Sequence, residues 1–174
     1  MKNSRRNFIK TTAKATAATY AATLGFSAKS YANIIGANDR VRLGVVGYSD
    51  RFRQSHLPCF LNHYKELNFD IVAVSDIWKL RREEGKNLLE KTMGHTIRAA
   101  RNNEELYAGK DMDGVFISTA DFQHAIHTIE AVQARCDAYT EKPLAETMAD
   151  NRAVLKAVRE SNQIVQIGSQ RRSG

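Results

Sequence analysis

The chain has 174 residues, which is long enough for one well-buried domain and short for two. Its formal net charge is +7, but residues 1–32 hold six of the 26 Lys and Arg and none of the 19 Asp and Glu, so that 20 cations face 19 acids in the remainder. This near-neutral remainder has no basic stripe that could follow a phosphate backbone, and we expect no nucleic-acid partner.

The first 32 residues resemble an export signal. The run Ser4–Lys10 (SRRNFIK) fits the twin-arginine pattern, an Ala- and Thr-rich stretch follows, and Ser30-Tyr31-Ala32 offers small residues for signal cleavage. We therefore expect a twin-arginine signal peptide over 1–32, a short linker over 33–40 and a periplasmic or otherwise exported protein. A basic amphipathic helix is the alternative. Because Lys14 breaks the apolar run and a membrane span needs ~20 uninterrupted residues, we expect no integral span after signal removal.

The first element after the linker is a nearly continuous apolar run, Val41–Gly47, which predicts a strand buried on both faces. Gly47 supplies the first glycine of a G-x-G-x-x-G dinucleotide-binding loop, but Ser49 and Phe52 take the other two glycine positions. Ser49 could donate its hydroxyl to a phosphate, whereas Phe52 cannot allow the close helix packing that the third glycine permits. We expect a reshaped loop with cofactor contacts from Gly47, Tyr48 and Ser49.

The following helix is expected to begin late, capped by Ser55, and to end near Leu67, before a second strand over Phe69–Asp76. A carboxylate at Asp76 can accept two hydrogen bonds from the adenosine ribose and repel a 2′-phosphate, which favours NAD. Capping of the next helix is the alternative role for Asp76. NADP stays open because three cations follow closely, namely Lys79, Arg81 and Arg82.

The rest of the chain alternates helix and strand patterns. The expected elements are helices over 77–93 (ended by Gly94), 103–108, 121–136 and 148–161, and strands over 95–98, 114–118, 138–141 and 164–168. The large apolar residues expected to form the inward faces of three helices are Leu80, Leu88, Leu89 and Met93, then Phe122, Ile126 and Ile129, then Val154, Leu155 and Val158. This order predicts an α/β fold, a Rossmann-type doubly wound parallel sheet with right-handed crossovers.

Ligands bind such sheets at the carboxyl ends of the strands, where the strand order switches. The candidate residues that fall at this edge are Gly47, Asp76, Ser118, Thr119, Ala120 and Glu141–Pro143. His124 lies in the predicted helix over 121–136, near the end of the preceding strand, and we expect it to form a wall of the cofactor pocket. His124 and His127 lack a third ligand, so we expect no metal. Cys59 and Cys136 are expected to be buried free thiols.

Glu141-Lys142-Pro143 follows the strand over 138–141 and carries the expected chemistry. Pro143 fixes the backbone beyond the strand and so helps to aim Lys142, while Glu141 can orient neighbouring groups. A lysine that takes a proton from an alcohol must be available as the neutral amine, which burial or a nearby cation such as the nicotinamide ring favours. A surface Glu-Lys pair is the alternative for this segment in isolation. Because the Glu141-Lys142-Pro143 segment follows Gly47 and Asp76 in the chain, it predicts redox chemistry on an alcohol or sugar with Lys142 as the catalytic residue.

Together these segments resemble the family of glucose–fructose oxidoreductase, inositol dehydrogenase and their relatives (Gfo/Idh/MocA). The resemblance runs from about Asn38 to the C-terminus, and its motifs are the Gly47 turn, Val74-Ser75-Asp76, Asp113–Thr119 with His124, Glu141–Leu144 and Gln166–Arg172. Besides Ser49 and Phe52, a further departure is Ala120, which stands where a proline usually follows. The resemblance implies an NAD(P)-binding Rossmann domain over 41–174, with NAD as the cofactor and NADP as the alternative. The implied cofactor-binding residues are Gly47, Tyr48, Ser49, Asp76, Ser118, Thr119, His124, Glu141 and Lys142.

The resemblance also implies a function. We expect the NAD(P)-binding half of an exported oxidoreductase that transfers a hydride between a nicotinamide cofactor and a sugar or polyol, with Lys142 assisting proton transfer. The family's C-terminal substrate domain is absent from this chain, so we expect no turnover by the chain alone and a homo-oligomer for the full-length protein. Two alternatives stay open: a glycosidase of the same scaffold that uses bound NAD transiently, and a non-catalytic sugar- or protein-binding relative.

Overall fold

The computed structural model of the chain describes residues 40–169. The predicted signal peptide, the predicted linker as far as residue 39 and the end of the Gln166–Arg172 motif lie outside the described residues.

Strands and helices alternate throughout the described region. The strands are β1 (Val41–Val46), β2 (Phe69–Ser75), β3 (Arg98–Ala100), β4 (Gly114–Ile117), β5 (Asp137–Glu141) and β6 (Val165–Gly168). The α-helices are α1 (Leu57–His63), α2 (Lys79–Met93), α3 (Asn103–Tyr107), α4 (His124–Gln133) and α5 (Met148–Ser161). Two short segments of other helix type precede α1 and α4, a π-helix over Phe52–His56 and a 3₁₀-helix over Asp121–Gln123.

The strands form one parallel sheet in the order β3-β2-β1-β4-β5-β6. β1 pairs with both β2 and β4, so that Val45 lies beside Val74 on one side and Phe116 on the other. The chain leaves β1 toward one edge and later returns to its other side, which creates a switch point at the carboxyl ends of β1 and β4. The predicted Rossmann-type doubly wound sheet is confirmed.

Apolar side chains pack on both faces of the sheet. One cluster lies under the π-helix, α1 and α2 and includes Val45 and Leu89. The other lies under α3 and α4 and includes Val46 and Ala131. The adjacent residues Val45 and Val46 enter opposite clusters because successive side chains of a strand point to opposite faces. Burial on both faces explains the continuous apolar run in β1.

The helical segment after β1 begins earlier than the sequence predicts. Helical backbone is established by Phe52, and Ser55 lies inside it rather than capping it. Ser49 accepts the first hydrogen bonds instead, from the N–H of Phe52 to Oγ (3.3 Å) and from the N–H of Arg53 to the carbonyl oxygen (3.0 Å). The Phe52 ring is fully buried, with its centroid 5.9 Å from that of Phe116. An aromatic ring therefore fills the space between helix and sheet at the third glycine position.

On α2 the buried face differs from the predicted one. Leu89 is fully buried, but Leu80 and Leu88 are 62% and 44% exposed, and Gly85 is the other buried residue of the helix. Gly94 ends α2 in the left-handed conformation, as predicted.

The predicted apolar face of α4 and its preceding 3₁₀ turn is also wrong. Phe122 and Ile126 are 68% and 51% exposed. The residues buried instead are His124, Ala125, Thr128, Ala131 and Val132. On α5, Val154 is buried as predicted, but Leu155 is 49% exposed.

Cys59 is exposed rather than buried, Cys136 is buried, and both are free thiols. Within residues 40–169 no helix has the length and apolar character that a membrane crossing requires.

Candidate cofactor and catalytic site

Two cavities open at the carboxyl edge of the sheet, and Thr119 lines both of them. The larger, of about 630 Å³, lies at the ends of β1, β2 and β4 and is here called the cofactor cavity. The smaller, of about 300 Å³, lies beside the end of β5 and is here called the lysine cavity. The cofactor cavity contains Gly47, Ser49, Asp76 and Ala120 in its lining, and the lysine cavity contains Ser118, His124, Glu141 and Lys142. The predicted site residues therefore gather at one edge, with the exception of Tyr48.

Gly47 makes the turn at the end of β1 that brings the two cavities together. Its φ is +84°, and a Cβ there would lie 2.7 Å from Thr119 Cγ2 and 3.2 Å from Thr119 N. Ser118 fixes the same approach by donating from Oγ to the Gly47 carbonyl oxygen (2.9 Å). Both the backbone conformation and the lack of space require glycine at this position.

Tyr48 and Ser49 follow Gly47 but differ in their surroundings: Tyr48 is buried in the core, and Ser49 faces the cofactor cavity. The Tyr48 ring is fully buried below Gly85, and its backbone N–H donates to Asp76 Oδ2 (2.9 Å). Tyr48 thus belongs to the core and positions the site through its backbone. Ser49 does line the cofactor cavity, and since its Oγ accepts the Phe52 N–H, the hydroxyl hydrogen remains available to a ligand.

Asp76 lies at the carboxyl edge of the sheet, where two backbone N–H groups hold its carboxylate. Its Oδ1 accepts the N–H of Trp78 (2.8 Å) and its Oδ2 accepts that of Tyr48, which holds the carboxylate at the wall of the cofactor cavity. A carboxylate offers about four lone-pair sites, so each oxygen can still accept a ribose hydroxyl. These two hydrogen bonds do not cap α2, whose N-cap residue is Trp78, and they leave the carboxylate able to accept from a ribose.

Sequence reasoning missed a polar wall of the cofactor cavity. Gln123, His127 and Glu130 line it from the α4 side, and Asn103 connects the wall to β2 by accepting from Ser75 Oγ (3.0 Å) and donating to Glu130 Oε2 (2.7 Å). Their spacing of four and three residues along one helix is the signal that could have indicated this wall.

His127 contacts the residue shared by the two cavities. Its Nδ1 lies 3.0 Å from Thr119 Oγ1. Burial lowers the pKa of His127 below 6.5, an effect that the nearby Glu130 opposes. A neutral ring at this wall can donate or accept a hydrogen bond.

Lys142 is exposed in the lysine cavity, whereas the adjacent Glu141 is buried. Glu141 Oε1 lies 3.0 Å from Arg51 Nε and 2.8 Å from His56 Nε2. Burial lowers the pKa of His56; Glu141 opposes this and Arg51 adds to it. Glu141 therefore connects the end of β5 to the segment after the Gly47 turn, while Lys142 faces the open cavity.

His124 connects the loops that carry Thr119 and Lys142. The ring is 1% exposed, with Nε2 3.1 Å from the Thr119 carbonyl oxygen and Nδ1 2.7 Å from the Pro143 carbonyl oxygen. Carbonyl oxygens only accept, so a ring nitrogen bonded to one must carry the hydrogen. The residue predicted as a pocket wall does line the lysine cavity, and it also ties its two sides together.

Within residues 40–169 there is no group of three or more His, Cys, Asp or Glu that could hold a metal ion. His124 and His127 make the separate contacts described above.

The fold and the two cavities define a dinucleotide-binding α/β domain. A family profile described as an oxidoreductase family with an NAD-binding Rossmann fold (Gfo/Idh/MocA) matches residues 41–169, and the chain belongs to this family.

Known relatives resemble the chain over part of their length. A 1,5-anhydro-D-fructose reductase of Ensifer adhaerens is 37% identical over 62 residues, which cover 36% of this chain and 19% of the relative. The myo-inositol 2-dehydrogenase of Lactobacillus plantarum has a similar structure (TM-score 0.67, 24% identity, 78% of this chain and 38% of that one). So does the WlbA dehydrogenase of Chromobacterium violaceum, solved with NADH and UDP-GlcNAcA (TM-score 0.67, 22% identity, 76% and 36%). The chain thus spans well under half the length of each of these proteins.

Proposed function

We propose that residues 40–169 form the cofactor-binding part of an oxidoreductase that transfers a hydride between NAD and a sugar or polyol. The observation that carries the proposal is the pair of adjoining cavities that share Thr119, one with Asp76 in its wall and the other with Lys142. An extended dinucleotide can run from the first to the second. The named relatives, which act on an anhydrosugar or an inositol or bind a sugar nucleotide, support the substrate class.

The residues present fit a bound NAD. Gly47 lets the turn after β1 approach Thr119, which a Cβ would prevent, and so brings the walls of the two cavities together; two backbone N–H groups hold the Asp76 carboxylate in place. When bound, the nicotinamide supplies the carbon that accepts or gives up the hydride. Lys142 would hold or release a proton at the substrate hydroxyl from the adjacent cavity.

Charge favours NAD over NADP. Of the cations that follow Asp76, Arg81 is paired with Asp50 (3.0 Å) and Glu84 (3.1 Å), and Arg82 donates to the Asp76 carbonyl oxygen (2.7 Å). Both guanidinium groups thus have partners, while the carboxylate repels a 2′-phosphate.

A direct test uses Trp78, the one tryptophan of the chain, which lies two residues from Asp76 and is 56% exposed. NADH bound at Asp76 should quench its emission. Asp76→Ala should weaken NADH binding by roughly 10-fold or more, the range expected for a charge-assisted hydrogen bond, and leave NADPH binding much less affected. Asp76→Asn keeps one acceptor oxygen and controls for the loss of the hydrogen bonds from the Tyr48 and Trp78 N–H groups.

Equal losses for NADH and NADPH would return Asp76 to a purely structural role. Absence of NADH binding by the unmodified chain would favour the non-catalytic relative.

The role of Lys142 is tested by separating binding from turnover. Lys142→Met should leave NADH affinity within about twofold, since the amine faces the lysine cavity. In the complete protein it should lower turnover of a sugar or polyol by ~10²–10⁴-fold, the usual range for a positioned acid or base. Full turnover by Lys142→Met would place the proton transfer elsewhere.

A further inference from the structure

The two cavities differ in charge. The lining of the cofactor cavity includes the acids Asp76, Glu104 and Glu130 and, within the described residues, no Lys or Arg. The lining of the lysine cavity includes two such cations, Lys142 and Arg51. A dinucleotide carries two negative phosphates, and a nearby cation would offset their repulsion by the acids.

The loop after β1 offers fewer backbone N–H donors to a phosphate than a loop with all three glycines would. The N–H of Tyr48 is bonded to Asp76, and the N–H of Phe52 is bonded to Ser49 Oγ. Both are therefore occupied by side chains of the protein itself. The Asp50 carboxylate adds a further negative charge to the loop, although it is paired with Arg53 and Arg81.

Arg51 is fixed at a position where its positive charge can offset the repulsion between the phosphates and the acids of the cofactor cavity. Its Nε lies 3.0 Å from Glu141 Oε1, and its Nη1 donates to Ser55 Oγ (2.9 Å). Within residues 40–169 the remaining Nη2 has no hydrogen-bond partner, and the side chain is 41% exposed. Glu141 and Ser55 thus orient the guanidinium while one edge stays open to the lysine cavity.

We propose that Arg51 binds the pyrophosphate of the dinucleotide and takes over the role that backbone N–H groups have in a loop with all three glycines. The inference rests on the proposed function. With the ribose at Asp76 and the nicotinamide at Lys142, the phosphates cross between the two cavities, beside Thr119 and the start of the π-helix. Arg51 is the cation at this crossing, and its planar fork suits a phosphate oxygen pair.

The experiment measures the dissociation constants of NADH, ADP-ribose and adenosine for the unmodified chain, Arg51→Met and Arg51→Lys. NADH quenching of Trp78 gives the first, and calorimetry gives the others. Arg51→Met should weaken NADH and ADP-ribose by roughly 10- to 100-fold, the effect of losing a charge-assisted hydrogen bond, and leave adenosine within about twofold. Arg51→Lys should recover part of the loss, because it keeps the charge without the fork.

The matched control is Arg53→Met. Arg53 lies two residues away in the adjoining π-helix, contacts Asp50 and Glu84, and lines neither cavity. It should leave all three affinities within about twofold. Raising the salt concentration should weaken NADH binding more for the unmodified chain than for Arg51→Met.

The outcomes separate the two proposals. If the unmodified chain binds NADH and Arg51→Met binds it equally well, the pyrophosphate contact is wrong and the proposed function stands. If adenosine is weakened as much as NADH, Arg51 acts by pairing with Glu141 and not by binding phosphate. If the unmodified chain binds neither NADH nor ADP-ribose, both proposals fail. Should Arg51→Met not fold, Arg51→Lys together with the salt dependence decides the question.

Discussion

At the scale of single residues, removal of the His124 side chain would take the ring nitrogens away from two backbone carbonyl oxygens. Its ring lies between the carbonyl oxygens of Thr119 and Pro143 and is almost completely buried. His124→Phe should preserve the ring volume and lower the free energy of unfolding by about 2–4 kcal/mol, since up to two buried acceptors lose their donor. His124→Gln, which retains an amide donor group, should lower the free energy of unfolding by less.

Urea unfolding followed by circular dichroism measures both variants. A Phe variant as stable as the parent chain would mean that the ring serves only as packing and that the two carbonyl oxygens are satisfied by solvent.

The pKa values of two other histidines are shifted in opposite directions, so we expect opposite changes of stability with pH. Burial lowers the pKa of His56 below 6.5, so its contribution is constant above that pH and stability falls as the pH drops below it. The hydrogen bond to Asp70 raises the pKa of His95, so its stabilisation is present below pH 6.5 and is lost as the pH rises through the folded-state pKa. His56→Gln should therefore lose less stability between pH 7.5 and 5.5 than the parent chain, and His95→Gln should lose more.

Unfolding free energies at the two pH values test this pair. Comparing changes across pH removes the constant cost of each substitution, such as the removal of the stacking between His56 and Phe116. Identical changes in all three proteins would contradict both assignments.

At the scale of elements, α2 lies on the sheet through Gly85. A Cβ at this position would lie 2.8 Å from two atoms of the buried Tyr48 ring. In an exposed helix, Gly→Ala stabilises by ~1 kcal/mol. Here the overpacking of a rigid ring should exceed that gain, so Gly85→Ala should lower the free energy of unfolding by about 1–2 kcal/mol.

Asn87→Ala is the control on the same helix, because Asn87 is exposed and should gain a few tenths of a kcal/mol from helix propensity alone. Equal stabilisation by Gly85→Ala and Asn87→Ala in urea unfolding would mean that α2 can move away from the sheet at little cost.

The same close packing explains what the sequence could and could not predict. The helix order, the parallel topology and the positions of five strands follow from apolar runs and their alternation, and they are confirmed; the strand predicted over 95–98 lies instead at Arg98–Ala100. The inward faces predicted for α2 and α4 are wrong apart from Leu89, because small residues face the sheet there, including Gly85, Ala125 and Ala131. Periodicity that counts large apolar residues selects the opposite face, as it does with Leu80 and Ile126.

The site shows the same limit. The ends of the predicted strands locate Gly47, Asp76 and Glu141-Lys142, since parallel strands bring their carboxyl ends to one edge. The spacing of Gln123, His127 and Glu130 indicates one face of a helix, but the sequence does not show that this face, or the turn that carries Arg51, points to the edge. Those orientations are set by packing and not by spacing alone.

At the scale of the whole molecule, charge is divided between the N-terminal segment and the rest. Residues 1–32 carry six cations and no acids, while the remaining residues are nearly balanced. We propose that this segment directs twin-arginine export, a route that carries folded proteins and so would allow NAD to be bound beforehand. The pair Arg5-Arg6 is the feature that the twin-arginine export machinery recognises.

Replacing Arg5 and Arg6 together by Lys keeps the charge and removes the pair. A reporter protein fused after residue 40 should then remain in the cytoplasm, whereas the same fusion with the native segment should be exported. Lys2→Arg, which changes a cation outside the pair, should leave export unchanged and controls for general effects of the substitutions. Cell fractionation measures the distribution. Export of the Lys-Lys fusion at the native level would show that charge alone directs the segment and would remove the twin-arginine assignment.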